Sequence, residues 1–254
     1  MKISIITTAK NSVKTIEDTI LSVISQTYKN VEYIVIDGGS TDGTLEIIKK
    51  HSQFIDYWKS EPDNGIYNAF NKGISIATGE YVGLLNSDDY YHSKDVLETL
   101  VQNILSNGQD KIYHANMVTI DKNKNIIRRY LYSSKKISER YQRTPFCHPT
   151  MFVPLNLYSE IGLFQEKYKI AGDYEFILRA LKNNIKFYHI NQTFVCMRVG
   201  GFSSKLNYLL PVENFKAKLS NNCPFLYGVY FFLIEITYLL LRKIKRFFIP
   251  SKFG

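Results

Sequence analysis

The 254-residue sequence has few cysteines and no long apolar segment at its start. Cys147, Cys196 and Cys223 are odd in number, far apart and without Cys-x-x-Cys spacing. This pattern argues against a disulfide framework or a zinc site and favours a reducing compartment. The run from Ile3 to Ile6 is too short for the apolar region of a signal peptide, and polar residues follow it, so we expect no secretory leader.

Three motifs of common enzyme classes are also absent. Without G-x-G-x-x-G a Rossmann dinucleotide site is disfavoured, and without G-x-x-x-x-G-K-S/T a P-loop is excluded. Without G-x-S-x-G a Ser-His-Asp hydrolase is disfavoured.

Acidic residues are scarce relative to basic ones, with 23 Asp and Glu against 32 Lys and Arg, a net charge of +9. Such an excess is typical of proteins that bind nucleic acid, an anionic membrane surface or acidic ligands.

The position of the basic residues distinguishes between these possible binding partners. From Asn214 onward, seven Lys and Arg stand against one acid, Glu235, which places six of the nine excess charges around the apolar run from Phe225 to Leu241. A spanning helix needs about 20 apolar residues, and Glu235 would be costly at mid-depth. We therefore predict an amphipathic helix on an anionic membrane surface, with a helix packed on the domain or in a dimer as the alternative. Nucleic acid is disfavoured, because its binding would need an aromatic-lined basic groove.

The first ninety residues alternate strand and helix patterns. Short apolar runs predict strands at Ile3–Ile6, Val31–Ile36 and Tyr81–Leu85, with helices between them. Strands that alternate with helices imply parallel βαβ units, so we predict an α/β fold with helices on both faces of the sheet. The predicted elements of the second half are strands at Lys111–Ile120, Ile126–Tyr132, Phe187–Ile190 and Val195–Val199, helices at Leu155–Ile161 and Tyr174–Leu181, and a mobile loop over 133–144.

Two adjacent carboxylates, Asp88 and Asp89, follow the predicted strand that ends at Leu85. Burying two acids at a strand end is costly without a cation. Hard oxygen ligands suit Mg²⁺ or Mn²⁺, and open α/β sheets bind ligands at the carboxyl ends of their strands. The residues alone leave two interpretations open, a divalent-metal site and an Asp-Asp turn that closes the strand.

Two further strand ends carry polar residues. Thr7 and Thr8 follow the first strand, where hydroxyls and backbone N–H groups suit a nucleotide or phosphate, with an ordinary helix cap as the alternative. Asp37 ends the second strand and can accept from a pyrimidine N3–H or a ribose hydroxyl, while Gly38 and Gly39 allow a flat ligand to approach the backbone. For Asp37 an Asx-turn is the alternative.

The order of the motifs adds a further signal. The segment 37–43, Asp-Gly-Gly-Ser-Thr-Asp-Gly, resembles the D-x-x-S-x-D-G-T signature of inverting family 2 glycosyltransferases. The other matching segments are Ser60 to Gly73, Ala77 to Glu80, Leu85 to Asp89, His148 to Thr150, Ile170 to Phe176 and Gly200 to Ser204. The resemblance extends from Lys2 to about Ser204. The sequence looks most like the subgroup that adds single sugars in bacterial capsule, exopolysaccharide or O-antigen assembly.

The resemblance implies a GT-A fold, an α/β fold with a Rossmann-like, mixed and mostly parallel central sheet. It implies a catalytic domain over residues 1–210, after which we predict a helical, membrane-associating segment over 211–254. The implied reaction is metal-dependent, inverting transfer of a sugar from a nucleotide-sugar donor, a UDP-sugar, to a hydroxyl of a lipid-linked or glycan acceptor. The implied location is cytoplasmic, at the inner face of the cell membrane. The alternative is a catalytically inactive scaffold or nucleotide-sugar-binding protein of the same fold.

The resemblance also implies roles for single residues. Asp88 matches the second acid of the family's Asp-x-Asp metal motif and Asn86 the first, so Asp88 is the implied ligand of Mg²⁺ or Mn²⁺. Asp173 matches the family's general base, whereas the residues alone favour a helix N-cap. Lys72 is a candidate contact of the diphosphate, with a solvated lysine as the alternative. His148 is a candidate contact of the acceptor or of a phosphate, with a packed histidine as the alternative. The residues implied to bind the nucleotide or the donor sugar are Thr7, Thr8, Asp37, Asn64, Asn71, Lys72, Asn86, Ser87 and Asp89.

Overall fold

The computed structural model describes residues 1–132, 140–141, 146–200 and 208–248, the last seven as helical backbone only. Within these residues the strands are β1 (Ile3–Ala9), β2 (Val31–Asp37), β3 (Tyr57–Ser60), β4 (Tyr81–Asn86), β5 (Asp89–Tyr91), β6 (Lys111–Ile120), β7 (Ile126–Tyr130), β8 (Phe152–Pro154) and β9 (Lys186–Arg198). The helices are α1 (Ile16–Ile24), α2 (Thr44–Lys50), α3 (Ile66–Ile76), α4 (Val96–Asn107), α5 (Leu155–Ile161), α6 (Gly172–Lys182), α7 (Leu210–Ser220) and α8 (Phe225–Phe248). Short 3₁₀ turns lie at Ser52–Phe54 and His148–Thr150.

The strands form one mixed sheet. Its order is β3-β2-β1-β4-β8-β6-β9-β5, and β7 pairs with β6. Strands β1 to β4 run parallel to one another, because a helix connects each strand to the next in the chain. Strand β8 joins β4 in the antiparallel direction, whereas β6 and β9 are parallel. The predicted α/β fold with a mixed sheet is confirmed.

Helices cover both faces of this sheet, as predicted. On one face Ile16, Ile20 and Val23 of α1 pack with Leu97 and Leu100 of α4 against the sheet, and all five side chains are buried. On the other face α3, α5 and α6 cover β1, β2 and β4. Burial of each such side chain contributes about 1.5–3 kcal/mol. The two layers enclose β1, whose residues are all buried, at the centre of the protein.

Several elements differ from their predictions. The two extended pieces predicted over 187–199 form the single strand β9, which pairs with β6 along most of its length. The strand predicted to reach Tyr132 ends at Tyr130. Helix α4 has no counterpart in the predictions, whereas α7 lies, apart from Leu210, within the helical segment predicted over 211–254. The three-residue strands β5 and β8 have no counterpart either. Strand β5 is defined by its pairing with β9, and β8 by its pairing with β4 and β6. Of the loop predicted over 133–144, all but 140–141 lies outside the described residues.

Glu32 ties the first two strands to the turn before β4. Its carboxylate accepts from the Ser4 hydroxyl, from the backbone N–H (2.8 Å) and the hydroxyl (2.6 Å) of Thr78, and from the Lys2 ammonium (2.9 Å). Burial alone would raise the pKa of Glu32, but these hydrogen bonds lower it to about 2. The ionised form of Glu32 therefore stabilises the folded chain.

We predict that Glu32→Gln destabilises the protein at pH 7 by about 3 kcal/mol, which corresponds to a pKa shift from 4.5 to about 2. Because folding lowers this pKa, the contribution is complete above pH 4.5 and is lost as the pH falls toward 2. Urea unfolding at pH 7 and at pH 3 measures the effect, with Glu46→Gln, an exposed site, as the control. Equal stability of Glu32→Gln and the parent protein at pH 7 would contradict this role.

Candidate active site

The carboxyl ends of β1, β2 and β4 meet at one edge of the sheet. In the register of these strands Ala9 lies beside Asp37, and Thr8 lies beside Asn86. Parallel pairing therefore brings together three polar motifs that are far apart in the sequence. Open α/β sheets bind ligands at such an edge. The position of each predicted residue relative to this edge therefore determines whether it can contact a ligand.

Thr7 and Thr8 support this edge from within the sheet. The Thr7 side chain is fully buried, and its hydroxyl accepts from the Tyr33 hydroxyl at 3.2 Å. The Thr8 carbonyl accepts from the Ser87 N–H at 3.2 Å, and the Ser87 hydroxyl lies 2.7 Å from that of Ser12. The two threonines thus hold the core and the turn after β4, and their contact with a donor stays a prediction.

The Asp37 carboxylate accepts hydrogen bonds from the turn that follows it. Its carboxylate has no exposed surface and accepts from the backbone N–H groups of Gly39 (3.2 Å) and Ser40 (2.9 Å) and from the hydroxyls of Ser40 and Ser60. Gly39 has a φ of 77°, in the left-handed region that favours glycine. The alternative interpretation, an Asx-turn, describes what Asp37 does here. Contact between Asp37 and a base stays a prediction, and it requires one of these donors to be exchanged.

Asp63 borders the same turn and is absent from the predicted site. A Cβ added at Gly38 would lie 2.3 Å from Asp63 Oδ2, so any larger residue would require this carboxylate to move. The other oxygen of Asp63 accepts from the Gly65 N–H at 2.9 Å and lies 3.9 Å from the Lys10 ammonium. Asn64, predicted as a donor contact, is exposed beside it at the start of α3. Sequence reasoning had a signal for Asp63, because it stands inside one of the matching segments.

Asn71 and Lys72 have other partners in this structure. The Asn71 amide donates to the Phe164 carbonyl at 2.9 Å and accepts from the Phe164 N–H at 3.0 Å, so it fixes a loop against α3. The Lys72 ammonium pairs with Glu61 at 2.8 Å. Both residues line a groove of about 450 Å³ that also includes Tyr57 of β3. Their predicted contact with the nucleotide stays a prediction, and for Asn71 the contacts described here are structural.

The four residues 86–89, called the acid motif below, form a compact turn between β4 and β5. The Asn86 amide donates to Asp89 Oδ2 at 3.2 Å, and the Arg198 N–H donates to Asp89 Oδ1 at 3.3 Å. The Arg198 guanidinium donates to the Asp88 carbonyl at 2.8 Å. Burial raises the pKa of Asp88, and burial together with the charge of Asp88 raises that of Asp89. Two carboxyl groups with raised pKa values next to each other favour a cation.

The oxygen atoms of the acid motif fit a divalent cation. Asn86 Oδ1 is buried and has no hydrogen-bond partner among the described residues, a state that costs free energy unless a ligand uses the oxygen. Asp88 is only partly buried, so its carboxylate is accessible from the same edge. In the described part of the chain, no group of three or more His, Cys, Asp or Glu side chains could hold a metal ion. Amide and carboxylate oxygens such as those of Asn86 and Asp88 are of the kind that Mg²⁺ and Mn²⁺ accept as ligands, and Mg²⁺ is commonly held by one or two such oxygens together with substrate phosphates.

Asp173 lies in the first turn of α6 and faces the sheet edge. The N-cap of α6 is Ala171, so the alternative in which Asp173 caps the helix is wrong. Asp173 Oδ2 lies 3.0 Å from His148 Nδ1, and the Tyr67 hydroxyl donates to Oδ1 at 3.3 Å. Burial alone would raise the pKa of Asp173, but the hydrogen bond and charge of His148, with the Tyr174 N–H and the Tyr67 hydroxyl, lower it. Asp173 is therefore an ionised carboxylate at neutral pH.

His148 joins Asp173 to the acid motif. Its Nδ1 contacts Asp173 as described, and its Nε2 lies 3.5 Å from the Asn86 amide nitrogen. The reason is the direction of β8, in which Phe152 pairs with Gly83, so that the preceding 3₁₀ turn extends toward the carboxyl end of β4. The ring also packs edge-on against Phe70, with centroids 5.8 Å apart. His148 is thus a packed histidine whose two nitrogens both face polar groups of the site.

Known proteins are similar to this chain in sequence or in fold. A sequence model described as Glycosyl transferase family 2 matches residues 4–157. An uncharacterised glycosyltransferase of Mycobacterium tuberculosis is 33% identical over 183 residues, which cover 70% of this chain and 68% of that protein. S. aureus TarS 1–349 in complex with UDP-GlcNAc superposes with a TM-score of 0.69 at 20% identity, over 93% of this chain and 72% of that one.

A second solved structure has a similar fold. The mannosyltransferase PcManGT of Pyrobaculum calidifontis, in complex with GDP-Man and Mn²⁺, superposes with a TM-score of 0.68 at 15% identity, over 91% of this chain and 69% of that one. At these identities the likeness shows the fold, which is GT-A. The family match covers more than half of the chain. The chain therefore belongs to glycosyl transferase family 2 and is a glycosyltransferase.

Proposed function

We propose that this glycosyltransferase moves a sugar from a UDP-sugar to a hydroxyl of a lipid-linked or glycan acceptor, with inversion and with Mg²⁺ or Mn²⁺ as cofactor. The observation that carries the proposal is the His148 bridge, which sets Asp173 beside the acid motif. The reaction requires a base for the acceptor hydroxyl and positive charge for the departing diphosphate. Asp173 would be the base, and a cation held by the acid motif would supply the positive charge next to it.

The choice of donor is supported by the two solved structures. TarS is bound to UDP-GlcNAc, and PcManGT is bound to GDP-Man and Mn²⁺. Since their nucleotides differ, the nucleotide of this chain is part of the proposal. We propose UDP, as in TarS. Its uracil N3–H can donate to a carboxylate such as Asp37 or Asp63 at the Gly38 turn. The assembly of a bacterial cell-surface polysaccharide is the proposed context.

The proposed chemistry is a single displacement. Asp173 takes the proton of the acceptor hydroxyl while the hydroxyl oxygen bonds to the anomeric carbon and the bond from that carbon to UDP breaks. His148 and Tyr67 hold the two oxygens of Asp173 in the required orientation. Asn86 and Asp88 would hold the cation. When bound, that ion would neutralise the charge that develops on the diphosphate.

The C-terminal helix supports a membrane-bound acceptor. Helix α8 exposes an apolar face made of Leu226, Tyr230, Leu233, Ile234, Leu240 and Leu241. Glu235 is on the opposite side, where it pairs with Lys218 of α7 at 2.7 Å and accepts from the Asn214 amide at 2.9 Å. The acid is thus removed from the apolar face, and we propose that this face lies on an anionic membrane surface. Within the described residues, no helix has the length and apolarity that crossing a bilayer requires.

We predict that Asp173→Asn abolishes transfer and leaves donor binding intact. The amide cannot accept the acceptor proton, so kcat falls by about 10²–10⁴-fold, whereas the Kd for the UDP-sugar changes by less than about twofold. UDP release from a panel of UDP-sugars, with polyprenyl diphosphate sugars as acceptors, measures kcat, and calorimetry measures Kd. The matched control is Asp95→Asn, at an exposed acid before α4. Transfer by Asp173→Asn at the parental rate would exclude Asp173 as the base.

We predict that the variant Leu226→Ser/Leu233→Ser loses membrane affinity. Each leucine contributes apolar area to the exposed face, so the pair lowers partitioning into anionic vesicles at least about tenfold. Flotation with phosphatidylglycerol vesicles measures the partitioning. Leu105→Ser provides the control, because Leu105 is equally exposed on α4 and lies outside this face. Unchanged flotation of the double variant would show that α8 does not contact the membrane.

A further inference from the structure

We propose that Glu213 of α7 is a positioning residue for Asp173, so that the C-terminal segment completes the active site as well as contacting the membrane. This inference rests on the proposed role of Asp173 as the base. It concerns a residue beyond the boundary at 210 that the sequence analysis set for the catalytic domain. The evidence is a set of hydrogen bonds that join α7 to the segment directly before α6.

The Glu213 carboxylate binds three consecutive backbone N–H groups. Oε1 accepts from Lys169 at 2.8 Å, and Oε2 accepts from Ile170 and Ala171, each at 3.0 Å. Glu213 is only 8% exposed. Hydrogen bonds to a charged acceptor are stronger than neutral ones, and a buried carboxylate without such donors would be costly. The three bonds therefore fix the chain immediately before Gly172 and Asp173.

Helix α6 carries two acids in its own first turn, Asp173 and Glu175, but its N-cap lacks a side-chain acceptor. Its N-cap residue is Ala171, whose side chain makes no capping hydrogen bond. A negative charge near a helix N-terminus is also favoured by the helix dipole. From α7, Glu213 supplies an acceptor for the N–H of the N-cap residue Ala171 and adds a negative charge near this end of the helix. The sequence gives no local sign of this, because the two segments are distant along the chain.

The other end of α7 contacts the same helix. The Asn221 amide, just after α7, lies 3.4 Å from Glu175 Oε1 of α6. Ala217 between them is fully buried in the core cluster that includes α6. Helix α7 is thus attached to α6 at both ends, and Lys218 binds it to α8 through Glu235. The described contacts form a continuous connection from the proposed membrane helix to the start of the catalytic helix.

The start of α6 leaves little room for displacement. A Cβ added at Gly172 would lie 2.8 Å from the Tyr67 ring, so the backbone passes directly against this ring. Tyr67 also binds the Asp173 carboxylate and accepts from the Asp173 N–H at 3.3 Å. Because a shift of about 1 Å at a reacting group can cost about 10²-fold in rate, release of 169–171 should reduce kcat. In the described part of the chain the Glu213 carboxylate binds 169–171 and not the donor side, which is built on β1, β2 and β4, so donor affinity should be retained.

The test uses Glu213→Gln, which keeps the shape and removes the charge, and Glu213→Ala, with Glu160→Gln on α5 as the exposed control. We expect kcat of Glu213→Gln to fall at least about tenfold while the Kd for UDP stays within about twofold of the parent. We also expect the amides of 169–171 to exchange faster in hydrogen-exchange mass spectrometry, with β1 and β4 still protected. Glu213→Ala should show the larger loss of kcat.

Two results would overturn the inference. One is a parental kcat in both Glu213 variants. The other is a parallel loss of kcat and UDP affinity with faster exchange throughout the sheet, which would mark general destabilisation. The exchange measurement needs no acceptor, so unchanged protection of 169–171 in both variants also rejects the inference. Absence of transfer by the parent protein with every donor would instead reject the proposed function.

Discussion

The contact of His148 with Asp173 and Asn86 is the constraint on which the site depends. One ring lies 3.0 Å from the carboxylate and 3.5 Å from the amide, so the distance between the proposed base and the acid motif is fixed by the size of an imidazole. The ring is held in turn by Phe70 at its edge. A site whose groups are positioned before the substrate binds does not spend binding free energy on ordering them.

That contact follows from the direction of the strands. Strands β1, β2 and β4 are parallel and bring their polar ends to one edge. Strand β8 runs the other way, so it begins at that edge, shortly after His148. Helix α6 then places Asp173 on the far side of the ring. The acidic groups that result are costly to bury, and the raised pKa values of Asp88 and Asp89 reflect that cost. A bound cation would offset it.

The parts of this account that could be predicted are those with a local signal in the sequence. The alternation of strand and helix patterns predicts β1, β2, β4 and the α/β class. Two acids after an apolar run leave a metal site at Asp88 and an Asp-Asp turn both open, and the metal site stays a prediction. The residues that could not be predicted depend on long-range pairing. Three-residue β8 has no periodicity of its own, so the role of His148 needs the register of β8 on β4. Glu213 binds a segment that is distant along the chain. The four hydrogen bonds that Asp37 accepts come from its own turn and from the neighbouring strand β3. For α4 a signal existed, since its buried residues recur at helical spacing.

The most direct test of the central claim, that the acid motif holds a cation and a nucleotide diphosphate beside Asp173, is a calorimetric titration with UDP in the presence and absence of Mn²⁺. The parent protein and Asp88→Asn are compared, with Asp95→Asn as control. The account predicts that Mn²⁺ tightens UDP binding at least about tenfold in the parent and in the control and has little effect in Asp88→Asn, because the metal joins a protein oxygen to the diphosphate. UDP binding that is independent of Mn²⁺ in the parent, or unchanged metal dependence in Asp88→Asn, would contradict it.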